Sequence, residues 1–382
     1  MPTTISIPLP QVRPGTRLSP VSEAGPRSMS AVRMLRISVT DRCNFRCTYC
    51  MPAGGVPWLR RDEILSFEEI ESVARVATQA HGVTHLKLTG GEPTVRRGLV
   101  DLVKRLAALP GVEDLSMTTN GFSLVEQARP LRVAGLGRVT ISLDSLRSDR
   151  FTAITRTGQL HRVLAGLDAA QAAGFDRVKL NCVVVRGTND DEIADFARLT
   201  LDRPITVRFI EYMPMGESAV LASAGGNPFE AVTNNDTTSF RIADEEQGPA
   251  GGCGQHLRGD RDVFVSEAEM HEQIREAIAP LQPVNRSREP GVGPAKVWRL
   301  PGAAGRVGFI SAMSRPFCET CNRLRLTATG VLRSCLFEGG EVDLRPMLRH
   351  GGDLGEAMVR CVALKPDVHS AQGNIQMSRI GG

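Results

Sequence analysis

The sequence predicts an α/β fold: an open, partial (β/α)6 barrel of the TIM type with a smaller C-terminal domain. Six short β-rich runs, 35–39, 86–89, 115–118, 139–143, 178–185 and 207–210, alternate with helical patterns such as 67–80, 98–109, 161–173 and 190–199. Repeated βα units imply parallel strands joined by right-handed crossovers. Six units fall two short of a closed barrel, so the barrel is open. Local signals agree element by element. Ser66 and Glu69 form a capping box that opens the first helix, and Gly82 ends it. Gly174 closes the helix before the fifth strand in the same way. Asp190 and Asp191 follow Asn189 where a helix N-terminus favours acids.

A chain of 382 residues is long enough for two or three compact units. It divides into a disordered N-terminal extension (1–33), the barrel (34–214), a low-complexity insertion (215–262) and a C-terminal domain (263–382). Pro2, Pro8, Pro10, Pro14, Pro20 and Pro26 keep the extension from forming a helical signal or anchor. The insertion is rich in Gly, Ala, Asn, Asp and Glu and holds Cys253, which receives no role; a second capping box, Ser266 with Glu269, restarts a helix after it. A 41% hydrophobic content without any apolar run of membrane-spanning length is that of a soluble, cytoplasmic protein. A net charge of +4 permits an anionic substrate, while aromatic residues at 4% argue against a nucleic-acid partner.

Cysteine spacing carries the chemistry. Cys43, Cys47 and Cys50 form a C-x3-C-x2-C triplet with Tyr49 before the last thiol, directly after the first strand. That is the end of the barrel where such enzymes keep their active sites. Electron-transfer clusters use four thiolates, so a triplet on an iron–sulfur cube leaves one iron open; the competing reading is a zinc knuckle borrowing a distant ligand. The second strand runs into Thr89-Gly90-Gly91-Glu92-Pro93, two side-chain-free residues and a carboxylate at the mouth of the next strand. Ser142 ends the fourth strand. Near the C-terminus, Cys318, Cys321 and Cys335 make a second triplet, C-x2-C-x13-C, without the second C-x2-C of a zinc ribbon. Arg323 and Arg325 alternate on a strand beside it, so both face one side and suit phosphate. Cys182 and Cys361 lie in apolar runs and read as core. His81 and His85 are separated by the helix-ending Gly82 and do not read as a zinc pair.

The first triplet with the Gly-Gly-Glu-Pro run resembles the radical S-adenosylmethionine (SAM) superfamily. Further elements narrow this: Leu35-Arg36-Ile37-Ser38-Val39-Thr40-Asp41-Arg42, Thr118-Thr119-Asn120-Gly121, Arg208-Phe209-Ile210-Glu211-Tyr212-Met213, Cys318-x-x-Cys321-Asn322-Arg323-Leu324-Arg325-Leu326 and the terminal Ile380-Gly381-Gly382. In that order they resemble the GTP 3',8-cyclases of molybdenum cofactor biosynthesis, the MoaA family. The resemblance implies two 4Fe-4S clusters, one on each cysteine triplet. On the first, SAM is cleaved to methionine and a 5'-deoxyadenosyl radical that takes hydrogen from ribose C3' of GTP; the C3' radical then attacks guanine C8, giving 3',8-cyclo-7,8-dihydro-GTP after a reduction step. The second binds the guanine. By the same resemblance Tyr49, Gly90, Gly91, Glu92, Ser142 and Met213 contact SAM, and Arg36, Lys87, Thr118, Lys179, Arg323 and Arg325 contact GTP. Arg36, Arg323, Arg325, Gly381 and Gly382 serve catalysis, the glycine tail reaching into the barrel.

Implied partners are GTP, SAM, an electron donor of unknown identity, a downstream cyclic pyranopterin synthase and, as an option, a second copy of the chain. Two other readings stand beside this one: a peptide-modifying radical SAM maturase with an auxiliary cluster, and a zinc-binding nucleic-acid-binding protein. The long N-terminal extension and the insertion depart from the family pattern.

Overall fold

A computed structural model describes residues 25–52, 54–215, 263–285, 291–337 and 339–369. The six expected strands are β1 (Met34–Ser38), β2 (His85–Thr89), β3 (Asp114–Thr119), β4 (Arg138–Ser142), β5 (Lys179–Val184) and β6 (Thr206–Glu211), each bound within one residue of the expectation. They pair in parallel and in sequence order. Helices α1 (Phe67–Arg75), α2 (Leu99–Ala107), α3 (Leu124–Val133), α4 (Ser148–Thr155), α5 (Leu160–Ala172) and α6 (Ile193–Asp202) fill the crossovers. Both capping boxes form: Ser66 opens α1, and Ser266 opens α7 (Glu267–Ala277). The first helix continues past α1 as a π-turn, Val76–Ala80, before Gly82 stops it at φ +68°. Pro130 within α3 and the brevity of α4 explain their weaker sequence signals.

Apolar and polar positions alternate along every barrel strand. Leu35 and Ile37, Leu86 and Leu88, Leu115 and Met117, Val139 and Ile141, Leu180 and Cys182, Val207 and Phe209 are all buried in one core. Arg36, Lys87, Thr118, Thr140, Lys179 and Arg208 occupy the intervening positions and line the barrel's interior. Period-two alternation thus separates a core of roughly one face from a polar lumen.

The smaller C-terminal domain expected from the sequence contributes strands to both edges of this same sheet. These are β7 (Gln282–Pro283), β8 (Lys296–Arg299), β9 (Arg306–Ile310), β10 (Arg323–Leu326), β11 (Val331–Arg333) and β12 (Glu341–Asp343). The order is β12-β11-β10-β1-β2-β3-β4-β5-β6-β9-β8-β7. β10 runs parallel to β1 and β9 parallel to β6, so the parallel wall is longer than six strands. Antiparallel hairpins then end each edge, which is why the barrel stays open. Two further helices, α8 (Arg345–His350) and α9 (Leu354–Ala363), follow; Cys361 of α9 is fully buried, as its apolar setting implies.

One boundary is corrected. The disordered extension is expected to reach residue 33, yet residues 25–33 are packed: Met29–Ala31 forms a 3-10 turn, and Met29 and Val32 are buried. Arg27 Nε donates to the Lys365 carbonyl at 2.9 Å. Among the six prolines only Pro26 falls here, and apolar residues replace them. Residues 1–24, the insertion from 216 to 262 with Cys253, and Gly381 and Gly382 lie outside the described residues. No helix among the described residues is long and apolar enough to cross a membrane.

Candidate active site

A cavity of about 330 Å³ opens inside the curved sheet and is lined by all six cysteines of the two triplets. Strand register explains how. Cys43 lies beyond the C-terminal end of β1. Cys321 precedes β10, whose Arg323 pairs with Met34 at the start of β1. The five residues of β1 rise about 3.3 Å each, so the triplets stand at opposite ends of the barrel wall. Arg325 pairs with Arg333, and continuing that antiparallel register brings Cys335 level with Arg323. The x13 spacing is therefore one hairpin.

The first cysteine loop is clamped from below and from the side. Gly91 N–H donates to the Thr40 carbonyl at 2.7 Å and Glu92 N–H to that of Arg42 at 2.8 Å. A Cβ on Gly91 would sit 2.3 Å from the Arg42 oxygen, and one on Gly90, at φ +155°, 2.6 Å from the Thr40 oxygen. The two glycines thus let the second strand's mouth touch the root of the loop. On the other side, Thr155 and Ile154 accept from Arg46 N–H and Thr48 N–H, each at 3.0 Å. Arg156, a non-glycine residue at φ +60°, donates one guanidinium nitrogen to the carbonyls of Arg46 and Met51, both at 2.9 Å. Phe45 fills the space beneath, edge-on to Phe122 and Phe151 with centroids 6.0 Å away.

Glu92 is buried, and its carboxylate accepts from Thr94 N–H, the Thr94 and Thr119 hydroxyls and Asn120 N–H. It organises three loops as well as lining the cavity. Tyr49 donates its hydroxyl to Asp144 at 2.8 Å, and burial lifts the Asp144 carboxyl to about 6. Ser142 and Met213 also line this end. If each triplet binds the four-iron cluster that the resemblance implies, Gly91→Ala is expected to disrupt the first loop and lower bound iron from about eight atoms to about four. Gly54→Ala, with open space around it, is the control that keeps all of it; equal iron in both variants would refute the close-approach role.

Between the triplets lies a positively charged tier. Arg325, Arg36 and Lys87 are register partners on β10, β1 and β2, and Lys179 pairs with Thr140 and Thr206. Arg208 and Arg138 join them; Arg208 opens the Arg-Phe-Ile-Glu-Tyr-Met run, but the sequence assigns neither arginine a role in the site, and the place of Arg208 between apolar neighbours on β6 was the available signal for it. Lys87 Nζ and Arg208 both donate to Thr140 Oγ1, at 3.2 and 3.4 Å. Arg138 is held by Asp114 through Nε at 2.6 Å and a second guanidinium contact. Among the described residues, Arg36, Lys87, Arg138, Lys179, Arg208, Arg323 and Arg325 face the cavity, with Glu92 and Asp144 as its acidic lining. Both acids sit near the first triplet, so one end suits a cation and the middle suits a polyanion. Burial, then its like-charged neighbours, pushes Lys87 well down, and burial with Arg325, Arg323 and Arg208 does the same to Arg36. Such a tier is costly without an anion to fill it.

The residues fit iron–sulfur clusters. Each triplet offers three soft sulfur donors on one short segment or hairpin, opening onto the cavity. Among the described residues no group of three Cys, His, Asp or Glu side chains is drawn together as a single-ion site. Burial raises the Cys43 thiol to about 12. At Cys321 burial is outweighed by Arg323 and Lys365, and the thiol is lowered.

A model of the Radical SAM superfamily matches residues 37–200, and one of Molybdenum Cofactor Synthesis C matches residues 246–371. Curated relatives named GTP 3',8-cyclase align along nearly the whole chain. That of Pelotomaculum thermopropionicum is 44% identical over 92% of this chain and 98% of its own. That of Geobacter sulfurreducens is 44% identical over 92% and 97%, and that of Pseudomonas putida 44% over 90% and 92%. Among solved structures, Streptococcus suis SuiB bound to S-adenosylmethionine covers 86% of this chain and 68% of that one, at 13% identity and a TM-score of 0.47. The matches in sequence support the cyclase reading and not the maturase or zinc-binding alternatives. With two cysteine triplets facing one cationic cavity, and relatives this similar from end to end, the chain belongs to the GTP 3',8-cyclase family, radical SAM enzymes of molybdenum cofactor synthesis.

Proposed function

We propose that this chain converts GTP to 3',8-cyclo-7,8-dihydro-GTP, taking hydrogen from ribose C3', joining C3' to guanine C8 and closing the resulting radical with one electron from the donor and one proton, an early step of molybdenum cofactor biosynthesis. The observation that carries this is the single cavity that joins both cysteine triplets across a cationic tier. Cys43, Cys47 and Cys50 hold one 4Fe-4S cluster; Cys318, Cys321 and Cys335 hold the other. When bound, the first supplies the electron that splits SAM to a 5'-deoxyadenosyl radical, and the second supplies an open iron for guanine. The protein's part is placement. Tyr49, Gly90, Gly91, Glu92, Ser142 and Met213 seat SAM at the end where two acids favour its positive charge. Arg36, Lys87, Thr118, Lys179, Arg323 and Arg325 seat GTP, with Arg208 and Arg138 adding charge to the phosphate region. Anaerobic incubation with SAM, a strong reductant and GTP, followed by mass analysis, tests this: a product isomeric with GTP, with about eight irons per chain, is expected. SAM cleavage without any cyclic product, in fully loaded protein, would refute it.

Gly381 and Gly382 act with this site, where two residues without side chains suit a role that an added Cβ would impair. Deleting them is expected to retain both clusters and SAM cleavage and to lose the cyclic product; wild-type product yield from the truncated chain would make the tail dispensable. The organisation proposed is a barrel (34–214), an insertion (215–262) and a cluster-bearing C-terminal domain (263–382). The enzyme acts in the cytoplasm, as a monomer or homodimer, takes electrons from a donor still to be identified and feeds a cyclic pyranopterin synthase.

A further inference from the structure

The short segment after α9, residues 365–369, touches Cys318 and Cys321 of the second triplet and packs on Phe337, two residues past Cys335. Lys365, itself buried, donates Nζ to the Cys321 carbonyl at 3.0 Å and to that of Arg323 at 3.4 Å. His369 Nδ1 lies 3.3 Å from Cys318 Sγ, within N–H···S range. The His369 ring packs on Phe337 with centroids 4.2 Å apart. Phe337 is buried two residues past Cys335 and clusters with Met215 and Leu336. Arg27 ties the same segment to the N-terminal end, through the Lys365 carbonyl at 2.9 Å and Asp367 at 2.7 Å. The His369 side chain is nearly buried and lines the cavity. A thiolate that ligates iron can only accept, so the nitrogen facing it must carry the proton.

We propose that residues 365–369 brace the second cluster and that His369 is a positioning residue, donating Nδ1–H to the Cys318 thiolate so as to raise that cluster's reduction potential and strengthen substrate binding at its open iron. This rests on the two-cluster reading above. Hydrogen bonds to ligand sulfur withdraw electron density from a cluster and favour its reduced form. Groups that orient a ligand in this way commonly change metal affinity or activity by about 10- to 100-fold when removed.

The test uses the full chain, loaded anaerobically, with Cys47→Ala as the background in which only the second cluster reports. His369→Phe keeps a ring against Phe337 and deletes the donor; His369→Asn returns an N–H near the position of Nδ1. Expected are a more negative midpoint potential in His369→Phe by EPR-monitored titration, GTP affinity lower by about tenfold, and recovery of both in His369→Asn. If His369→Phe sheds the cluster, the brace is supported and His369→Asn is read for potential. An unmoved potential with iron retained sinks this inference alone. Nitrogen hyperfine coupling that His369→Phe removes would make His369 an iron ligand and also overturn it. Four irons per wild-type chain would sink the two-cluster reading, and the brace with it.

Discussion

Cys47→Ala is expected to abolish SAM cleavage outright. Cys47 stands mid-loop, between Thr48 N–H bonded to Ile154 and Arg46 N–H bonded to Thr155, and the carbonyls on either side of the loop are fixed by Arg156. Among the described residues no other thiol is placed to swing in: Cys182 is buried in the core and Cys361 lies under β11 and β12, with its thiol donating to the Gly340 carbonyl at 3.0 Å. Two thiolates cannot hold the cube, and about four of eight irons should be lost. Cys321→Ala makes the contrast. It should lose the same amount of iron and yet retain uncoupled SAM cleavage, with the cyclic product eliminated, because the two triplets stand at opposite ends of β1. Product formed at a near-normal rate by Cys321→Ala would remove the second cluster from substrate binding.

Much of this site is legible in the sequence because its chemistry lies in short contiguous runs. The first triplet, the Gly-Gly-Glu-Pro turn and the Arg-x-Arg pair are each local, and the strands that carry them have the plain period of two. The rest depends on register. Arg138 enters the cavity because β4 follows β3 in the sheet, with Asp114 on the neighbouring strand to hold it. Asp144 becomes Tyr49's partner across 95 positions of sequence. Strands β9 and β10 extend the parallel wall beyond the six βα units that the sequence describes, because the pairing of β10 with β1 joins Met34 to Arg323, far apart in the chain. Glu92 shows the limit of reading a motif as contacts: the carboxylate that looks ready for an amine is also the knot of four internal hydrogen bonds. The packing of Met29 and Val32 was hidden for the same reason, because composition reports no partner and their burial depends on distant elements.

Arg325→Met is expected to weaken GTP binding by roughly 10- to 150-fold, and at the same time to raise the melting temperature of the GTP-free, cluster-loaded protein. Both follow from one arrangement. Arg325 is buried beside Arg36 in strand register and shares the cavity with Arg323 and Arg208. Burial and then Arg323 bring the Arg325 guanidinium down to about 10, and burial followed by Arg325 itself lowers Arg36. A polyanion relieves this repulsion, so each arginine contributes more to binding than an exposed one would. Loss of one charge-assisted bond to phosphate costs about 1.5–3 kcal/mol, which converts to the fold-change above. Met fills a similar volume without the charge, and exchanging a repelled buried charge for an apolar chain stabilises the empty state. Arg325→Lys keeps the charge but loses the planar fork, and should fall between. Titrations with GTP, GDP and guanosine make the assignment: the loss should shrink as phosphates are removed, and SAM affinity should change little. An equal loss for guanosine would place Arg325 at the base and not at the phosphates.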